Sequence, residues 1–168
     1  MRFAKILNSS VMTNKEIKIA YQEYSSLDEL SSKDRELAQA AIDATSQAYA
    51  PYSNFNVGAS VMYEDGEIIK GSNQENAAFP SSLCAERTAL FYASSHRPDK
   101  AIVALAIAAS QNGILCNNPV TPCGACRQVM AQYQSKGGIP MNILLIGASK
   151  IWKFSKVEDL LPFTFDSI

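Results

Sequence analysis

The sequence predicts an α/β fold in which helices cover both faces of a mixed β-sheet. Helical and strand-like segments alternate along the chain, and one strand-like run is apolar throughout, as in strands covered on both faces. No internal repeat, low-complexity tract or linker divides the chain. With 168 residues, 47% hydrophobic and 18% charged, it is long enough to bury a sizeable core. We therefore expect a single domain over residues 1–168.

The first half of the chain predicts a short strand, a helix and a hairpin. Glu16–Tyr21 alternates polar and apolar residues, which is typical of a strand. Ser31–Asp34 has the composition of a helix-capping box, and the helix behind it is expected to reach Ala50, because a proline follows. Asp65-Gly66 favours the positive φ angles of a tight turn, and it separates two strand-like runs, Val57–Tyr63 and Ile68–Gly71.

The second half alternates helices and strands, with proline and glycine marking the boundaries. A proline is tolerated in the first turn of a helix, and paired glycines end one. A serine three residues before a glutamate is typical of a helix N-terminus. The predicted elements are a helix from near Cys84 to before Pro98, a strand at Ala101–Ala109, a helix starting at Pro122 and ending at Gly137-Gly138, strands at Asn142–Ile146 and Ile151–Phe154, and a short helix capped by Ser155 and Glu158.

The charge pattern and the apolar runs exclude several classes of partner. The chain has 15 basic and 16 acidic side chains, and no two Lys or Arg residues are adjacent. Proteins that grip nucleic acids normally show a basic excess, so we expect a small ligand and no nucleic acid. The longest apolar run, Ala101–Ala109, is too short to span a bilayer, and residues 1–8 lack the apolar stretch of a secretory signal. We expect a cytoplasmic protein that does not bind membranes.

Three of the four cysteines stand where helices are predicted to begin. They are Cys84, followed two residues later by Glu86, and Cys123 and Cys126, which form a Cys-x-x-Cys pair. Helix N-termini favour thiolate over thiol, and three thiolates would leave one tetrahedral position of a zinc ion open, as in catalytic zinc sites. The fourth, Cys116, lies seven residues before Cys123, which is a poor spacing for chelation, and we expect a free buried thiol.

These residues reproduce the pattern of the zinc deaminases, in which His or Cys is followed two residues later by Glu and then by Pro-Cys-x-x-Cys. Read with the surrounding segments, the sequence resembles the small, homotetrameric cytidine deaminases. The resemblance extends from about Asp34 to Phe165, and residues 1–30 form an N-terminal extension outside it. The motifs that carry the resemblance are Ala50–Ala59, Gly71–Ala77, Leu83–Ala89, Pro122–Gln128 and Leu160–Pro162.

The resemblance implies a three-layer α/β/α sandwich around a mixed five-stranded sheet. It also implies one zinc ion per chain, held by the three cysteine thiolates and used to activate water. Glu86 would carry protons between water, ring N3 and the leaving amine. Arg87 resembles the family arginine that hydrogen-bonds the thiolates. The implied reaction is the hydrolysis of cytidine and 2′-deoxycytidine to uridine and 2′-deoxyuridine with release of ammonia, a step of pyrimidine salvage.

The resemblance further implies a set of substrate contacts, some of them from neighbouring subunits. Asn73 and Glu75 match the pair that binds the ribose hydroxyls, and Phe55 matches the aromatic residue that stacks on the pyrimidine. Ala77 and Phe79 match positions that reach a neighbouring subunit's ribose, and Phe79 stands where the family usually has Tyr. Phe165 or Phe163 is expected to cover the base from another subunit. We therefore expect a homotetramer with shared active sites.

Three alternative functions remain open from the sequence. A related deaminase could act on a nucleoside antibiotic or on a base in RNA, although the sugar-binding pair and the neutral charge favour a free nucleoside. A thiol oxidoreductase could use Cys123 and Cys126, but this would leave Cys84 and Glu86 unexplained. A structural zinc protein could recruit Cys116 as its fourth ligand. The only histidine, His96, stands at a predicted helix end and needs no catalytic role.

Overall fold

The structure is a computed structural model that describes residues 12–165, so the prediction for residues 1–8 lies outside the described residues. The described chain forms the predicted three layers around a mixed sheet, and this sheet has seven strands rather than five. The elements are β1 (Gln22–Tyr24), α1 (Ser32–Ala44), β2 (Asn56–Tyr63), β3 (Ile68–Ser72), α2 (Ala85–His96), β4 (Ile102–Gln111), β5 (Ile114–Leu115), α3 (Gly124–Gly137), β6 (Asn142–Ile146) and β7 (Ile151–Phe154). The strand order is β1-β7-β6-β4-β2-β3, and β5 pairs with β4.

The central strand β4 shows why the sheet is covered on both faces. Its larger side chains, Leu105 and Ile107, pack in one core cluster with α2 and α3. Its alanines at 104, 106 and 108 alternate with them and pack in a second cluster with α1. Small residues allow α1 to lie close to the sheet, and alternation along a strand sends successive side chains to opposite faces. The parallel pairing of β4 with β6 is connected through α3, the usual crossover arrangement.

Helix α1 begins where the sequence predicts and ends earlier. The hydroxyl of Ser31 accepts a hydrogen bond from the amide of Asp34, which confirms the cap. The helix stops at Ala44, and a 3-10 turn at Thr45–Gln47 follows it. The prediction that it reaches Ala50 is wrong because Tyr49 pairs instead with the chain after β3: its amide bonds to the carbonyl of Asn73, and its carbonyl accepts from Glu75.

The β2–β3 hairpin forms as predicted, but its turn is of another type. Gly66 has a φ of 93°, whereas Asp65 keeps a negative φ. The amide of Gly66 bonds to the carbonyl of Tyr63, and the amide of Tyr63 bonds to the carbonyl of Glu67. This is a loop in which one glycine takes the left-handed position, so the expectation of two positive φ angles is wrong. Arg97 closes over the turn through ion pairs with Asp65 and Glu67.

A second hairpin, between β4 and β5, was not predicted. Asn112 and Gly113 form its two-residue turn with φ angles of 52° and 77°, and Gln111 pairs with Ile114 across it. Asn-Gly is the preferred dipeptide for this turn, because both residues tolerate positive φ. The dipeptide was therefore a readable signal for β5.

The two ends of the sheet-forming chain also differ from the predictions. No strand forms at Glu16–Tyr21. β1 instead lies at Gln22–Tyr24 and pairs antiparallel with β7, while the ring of Tyr21 stacks on Phe154. At the other end, the short helix after β7 is a 3-10 turn at Val157–Asp159, and the side chain of its N-cap residue, Lys156, does not cap it. The hydroxyl of Ser155 bonds to the carboxylate of Asp159, so the predicted cap is wrong.

The starts of α2 and α3 matter most for the site. Helix α2 runs from Ala85 to His96 with Cys84 as its N-cap residue, as predicted. Helix α3 begins at Gly124 with Cys123 as its N-cap residue, so Pro122 precedes the helix rather than opening it. Gly138, at a φ of 66°, ends α3 as predicted. Within residues 12–165, no helix is both long and apolar enough to cross a bilayer.

Candidate metal centre and active site

Three thiols meet where the N-termini of α2 and α3 lie side by side. The Sγ atoms of Cys84 and Cys123 are 3.9 Å apart, those of Cys123 and Cys126 are 3.5 Å apart, and all three lie within 4.8 Å of one another. Cys84 and Cys123 occupy N-cap positions, where the backbone is still extended, and Cys126 lies in the first turn of α3. The packing of the two helix starts side by side therefore brings all three sulfur atoms to one point.

This donor set fits zinc. Zn–S bonds of about 2.3 Å in a tetrahedron separate neighbouring sulfur atoms by about 3.8 Å, close to the two distances given above. Within the described residues, Cys116 is not part of the cluster, which leaves three protein ligands and no fourth sulfur. A fourth position left for water or substrate distinguishes catalytic from structural zinc. The prediction of a structural zinc site completed by Cys116 loses its support.

The three thiols perturb one another strongly. Considering the protein groups alone, the pKa of Cys84 falls to about 5, chiefly because the thiol of Cys126 donates a hydrogen bond to it and Arg87 donates another. The same hydrogen bond, together with burial, raises the pKa of Cys126. The opposite pKa shifts of Cys84 and Cys126 mean that the three neighbouring thiols cannot all lose their protons without a cation beside them. A divalent cation relieves this repulsion for all three sulfur atoms at once.

Arg87 is the cation nearest to the cluster. Its Nη2 lies 3.7 Å from the Sγ of Cys84, and this bond raises the pKa of the guanidinium. Its Nε is buried and has no hydrogen-bond partner within the described residues. Three thiolates and a divalent cation leave one excess negative charge, which Arg87 and the two helix N-termini can balance.

Glu86 lies two residues after Cys84, in the first turn of α2, and lines the cavity. Its side chain is only 4% exposed. Burial raises the pKa of the carboxyl group, and the negative charge on Cys84 raises it further. A buried carboxylate with a raised pKa is a stronger base than an exposed one.

A cavity of about 380 Å³ opens beside the cluster. The predicted site residues that line it are Asn73, Glu75, Phe79, Cys84, Glu86, Arg87 and Cys123, and residues that were not predicted, such as Val57, Ile107 and Thr121, also line it. The predicted ligand Cys126 is buried behind this wall and does not line the cavity. Phe55, Ala77 and Phe165 are not among the residues that line it within this chain. His96 stands at the far end of α2, stacked on Tyr92, and does not take part.

The side chains of Asn73 and Glu75 already make hydrogen bonds to the loop at residues 49–56. Asn73 accepts from the amide of Val57 at 2.8 Å and donates to the carbonyl of Phe55 at 2.9 Å. One carboxylate oxygen of Glu75 accepts from the amide of Tyr52 at 2.8 Å, and hydrogen bonds to this loop lower its pKa. Both residues thus shape the cavity wall, while the second amide hydrogen of Asn73 can still serve a ligand.

The predicted aromatic contacts are mostly exposed. The ring of Phe79 is 70% exposed and packs edge-on against Tyr52. Phe163 and Phe165 are 83% and 71% exposed. Phe55 is half-buried and Ala77 is exposed, and of these predicted contacts only Phe79 lines the cavity within the described chain.

Two residues that sequence reasoning passed over anchor the C-terminal segment to the metal-binding helix. Gln128 donates from Nε2 to the carbonyl of Phe165 at 2.6 Å and accepts from its amide at 3.1 Å. Arg127 donates to the carbonyls of Pro122 and Leu160. Both stand inside the Pro122–Gln128 motif, but polar residues on a helix are usually exposed to solvent, and nothing local indicates partners more than thirty residues away.

Comparisons with known proteins agree with this geometry. A family model described as the cytidine and deoxycytidylate deaminase zinc-binding region matches residues 31–139. A cytidine deaminase of Halalkalibacterium halodurans is 50% identical over 97 residues, which are 57% of this chain and 68% of that protein. A cytidine deaminase of Sporosarcina psychrophila is 48% identical over 122 residues, covering 73% of this chain and 83% of that protein.

A solved structure is also similar to this chain over nearly all of the solved structure's length. The crystal structure of cytidine deaminase from Burkholderia pseudomallei aligns with a TM-score of 0.66 and 38% sequence identity. The alignment covers 77% of this chain and 97% of that one. The fold and the segment that bears the three cysteines and Glu86 are thus found together in related proteins.

Proposed function

The chain belongs to the family of cytidine and deoxycytidylate deaminases, and on this premise we propose that it is a zinc-dependent hydrolase of free cytidine and 2′-deoxycytidine. The products are uridine, 2′-deoxyuridine and ammonia, a reaction of pyrimidine salvage in the cytoplasm. The observation that supports this most directly is the group of three convergent sulfur atoms at the wall of a cavity that Cys84, Cys123 and the buried carboxylate of Glu86 line. A dithiol oxidoreductase built on Cys123 and Cys126 would need neither Cys84 nor Glu86.

The charge of the cavity favours a nucleoside over a nucleotide. Two carboxylates, Glu75 and Glu86, line it, and Arg87 is the one cation among the described lining residues. Arg87 is already directed at the sulfur of Cys84. A 5′-phosphate would bring two negative charges to a site with no other cation to pair them, whereas the uncharged hydroxyls of a ribose need only hydrogen bonds. Cytidine is therefore the expected substrate, and its monophosphate is not.

Cys84, Cys123 and Cys126 would hold the zinc ion, which as a Lewis acid would activate water for attack on C4. Glu86 takes a proton from the attacking water and delivers it to ring N3. It then takes the proton of the hydroxyl group newly added at C4 and passes it to the amine, so that the C4–N bond breaks, the C4 carbonyl forms and ammonia leaves as a neutral molecule. Its burial keeps the carboxylate from being solvated and so keeps it basic enough for the first transfer. Arg87 steadies the negative charge of the thiolates during these steps.

The remaining residues bind and orient the nucleoside. Asn73 and Glu75 hold the ribose hydroxyls with the hydrogen-bonding groups that the loop leaves available, and Phe55 stacks on the pyrimidine. Ala77, Phe79 and Phe165 act across subunit boundaries in a homotetramer with shared active sites. The exposure of Phe79 and Phe165 in the single chain supports this assembly, because large apolar side chains left in solvent are typical of interfaces.

The test combines metal analysis with turnover. The purified protein should contain one zinc ion per chain and should change the ultraviolet absorbance of added cytidine as uridine forms, while cytidine monophosphate should remain unchanged. Zinc without turnover of any nucleoside would favour a structural site. Reactive dithiols without zinc would favour an oxidoreductase. Turnover of the monophosphate in preference to cytidine would contradict the assignment of substrate class.

A further inference from the structure

Two asparagines with unusual backbones bond to each other beside the candidate site. Asn54 and Asn112 are the only non-glycine residues in the described chain with positive φ, and both have a φ of 52°. The Nδ2 of Asn54 donates to the Oδ1 of Asn112 at 2.6 Å, although 58 residues separate them in the sequence. Asparagine is favoured at such angles, but the angles alone do not require that the two side chains meet.

The backbone of each asparagine is already determined by its own turn. Asn112 is the first residue of the two-residue turn between β4 and β5, which needs positive φ at that position. Asn54 closes a turn through its amide, which bonds to the carbonyl of Ala50 at 3.0 Å. Glycine would satisfy either backbone. The side-chain bond is therefore an additional feature, and its function must be sought in what it connects.

The bond connects the β4–β5 hairpin to the loop at residues 49–56. The opposite side of this loop is held by cavity residues: Glu75 binds the amide of Tyr52, and Asn73 binds the carbonyl of Phe55. Tyr52 also packs on Phe79, which lines the cavity. The loop is thus fixed to the cavity wall on one side and to Asn112 on the other. Its position determines where Phe55 and the sugar-binding side chains stand.

We propose that Asn112 is a positioning residue for nucleoside binding, acting through Asn54. Its carbonyl oxygen holds the loop at residues 49–56 against the β4–β5 hairpin, so that the nucleoside meets a loop already ordered for binding. The proposal rests on the proposed function, because the loop is defined as part of a nucleoside site. A preordered loop lowers the entropy cost of binding and leaves the chemical step unchanged.

The direct test replaces each asparagine by glycine, which keeps the backbone angle and removes only the side-chain bond. In Asn112→Gly and in Asn54→Gly, KM for cytidine should rise about threefold to tenfold, the range expected for one lost hydrogen bond. The kcat value and the zinc content should stay as in the parent. KM of the double variant should not exceed the higher of the two single-variant KM values, because both changes remove the same bond.

Aspartate substitutions supply a rescue that a merely structural defect would not show. Asn112→Asp keeps an acceptor for the amide of Asn54, and Asn54→Asp can accept from Asn112 after its amide rotates, so both should bind cytidine nearly as the parent does. The variant with both aspartates has two acceptors and no donor, and KM should rise as in the glycine variants. Gln111→Ala changes another exposed side chain of the hairpin and should have no effect.

Hydrogen exchange separates this proposal from the proposed function. In the zinc-loaded protein without substrate, peptides covering residues 49–56 should exchange faster in Asn112→Gly than in the parent and in Gln111→Ala. If exchange is unchanged, or if it rises while KM does not, Asn112 does not position the loop for binding. Effects that multiply in the double glycine variant would also overturn the proposal. If the parent turns over no nucleoside, the proposed function fails, while a rise in exchange still shows that the bond orders the loop.

Discussion

A close approach between strand and helix lies directly behind the candidate active site. Gly71, in β3, packs against the first turns of α2, the helix that bears Cys84 at its N-cap and Glu86 in its first turn. A Cβ added to Gly71 would lie 2.5 Å from the amide nitrogen of Ala89 and 2.9 Å from the carbonyl oxygen of Ala85. Both partners are backbone atoms, so no side chain can rotate away.

Gly71→Ala should therefore displace the beginning of α2. Ordinary contact begins at 3.4 Å, so the helix must retreat by about 0.9 Å at Ala89 and about 0.5 Å at Ala85. Overpacking of this kind typically costs about 1–3 kcal/mol of unfolding free energy. A misplacement of about 1 Å in a catalytic constellation can lower the rate about 10²-fold. We expect a folded variant whose kcat/KM for cytidine falls about tenfold to a hundredfold.

A matched substitution separates displacement of the site from loss of stability. Gly137→Ala adds the same methyl group at the far end of α3, 3.2 Å from the Cβ of Ala101, where a shift of a few tenths of an ångström suffices. It should leave kcat/KM within about twofold of the parent, the ordinary scatter of such effects. Thermal unfolding followed by circular dichroism, zinc analysis and the cytidine assay would be run on both variants. A folded Gly71→Ala protein with parental kcat/KM would refute the reasoning, and so would equal losses in both.

Three further predictions concern the metal, the proton carrier and the assembly. Alanine at any of the three clustered cysteines should remove zinc and activity. Cys116→Ser should keep one zinc ion per chain by metal analysis, and loss of zinc in that variant would contradict the ligand set. Glu86→Gln should keep zinc and fold but lower kcat about 10²- to 10⁴-fold, and activity within about threefold of the parent would remove Glu86 from proton transfer. Light scattering should show a tetramer, and a fully active monomer would refute shared active sites. Deletion of residues 163–168 should lower activity more than it lowers zinc content.

Local signals were sufficient for the core elements. The cap at Ser31, the glycines after α3 and the apolar run of β4 each act within a few residues, and the structure confirms all three. The failures have non-local causes. Helix α1 stops early because Tyr49 pairs with the chain after β3, and β1 lies at Gln22–Tyr24 because its partner is the edge of β7. Neither partner is near in sequence.

The candidate site divides in the same way. The convergence of Cys84, Cys123 and Cys126 was predicted from the zinc-deaminase motif, because Cys123 and Cys126 share one helix start but Cys84 joins them only through the packing of α2 beside α3. The hydrogen bonds of Asn73 and Glu75 to the loop at residues 49–56 could not, because they depend on how that loop folds back over β3. The Gly71–Ala77 motif predicted that Asn73 and Glu75 bind the ribose. The structure adds that their hydrogen bonds also hold the loop beside the cavity in place.

The metal-binding side and the substrate-binding side of the site are therefore stabilised by different interactions. The cluster and Glu86 stand at the starts of two helices whose buried side chains pack on the sheet, so the three sulfur atoms meet within one chain. The substrate side depends on a loop that is held by hydrogen bonds and framed by exposed aromatic side chains. Changes in the helix starts should alter zinc content and kcat, whereas changes in the loop or in the C-terminal segment should alter KM. This separation follows from burial, because interior packing resists local change and hydrogen-bonded surface loops do not.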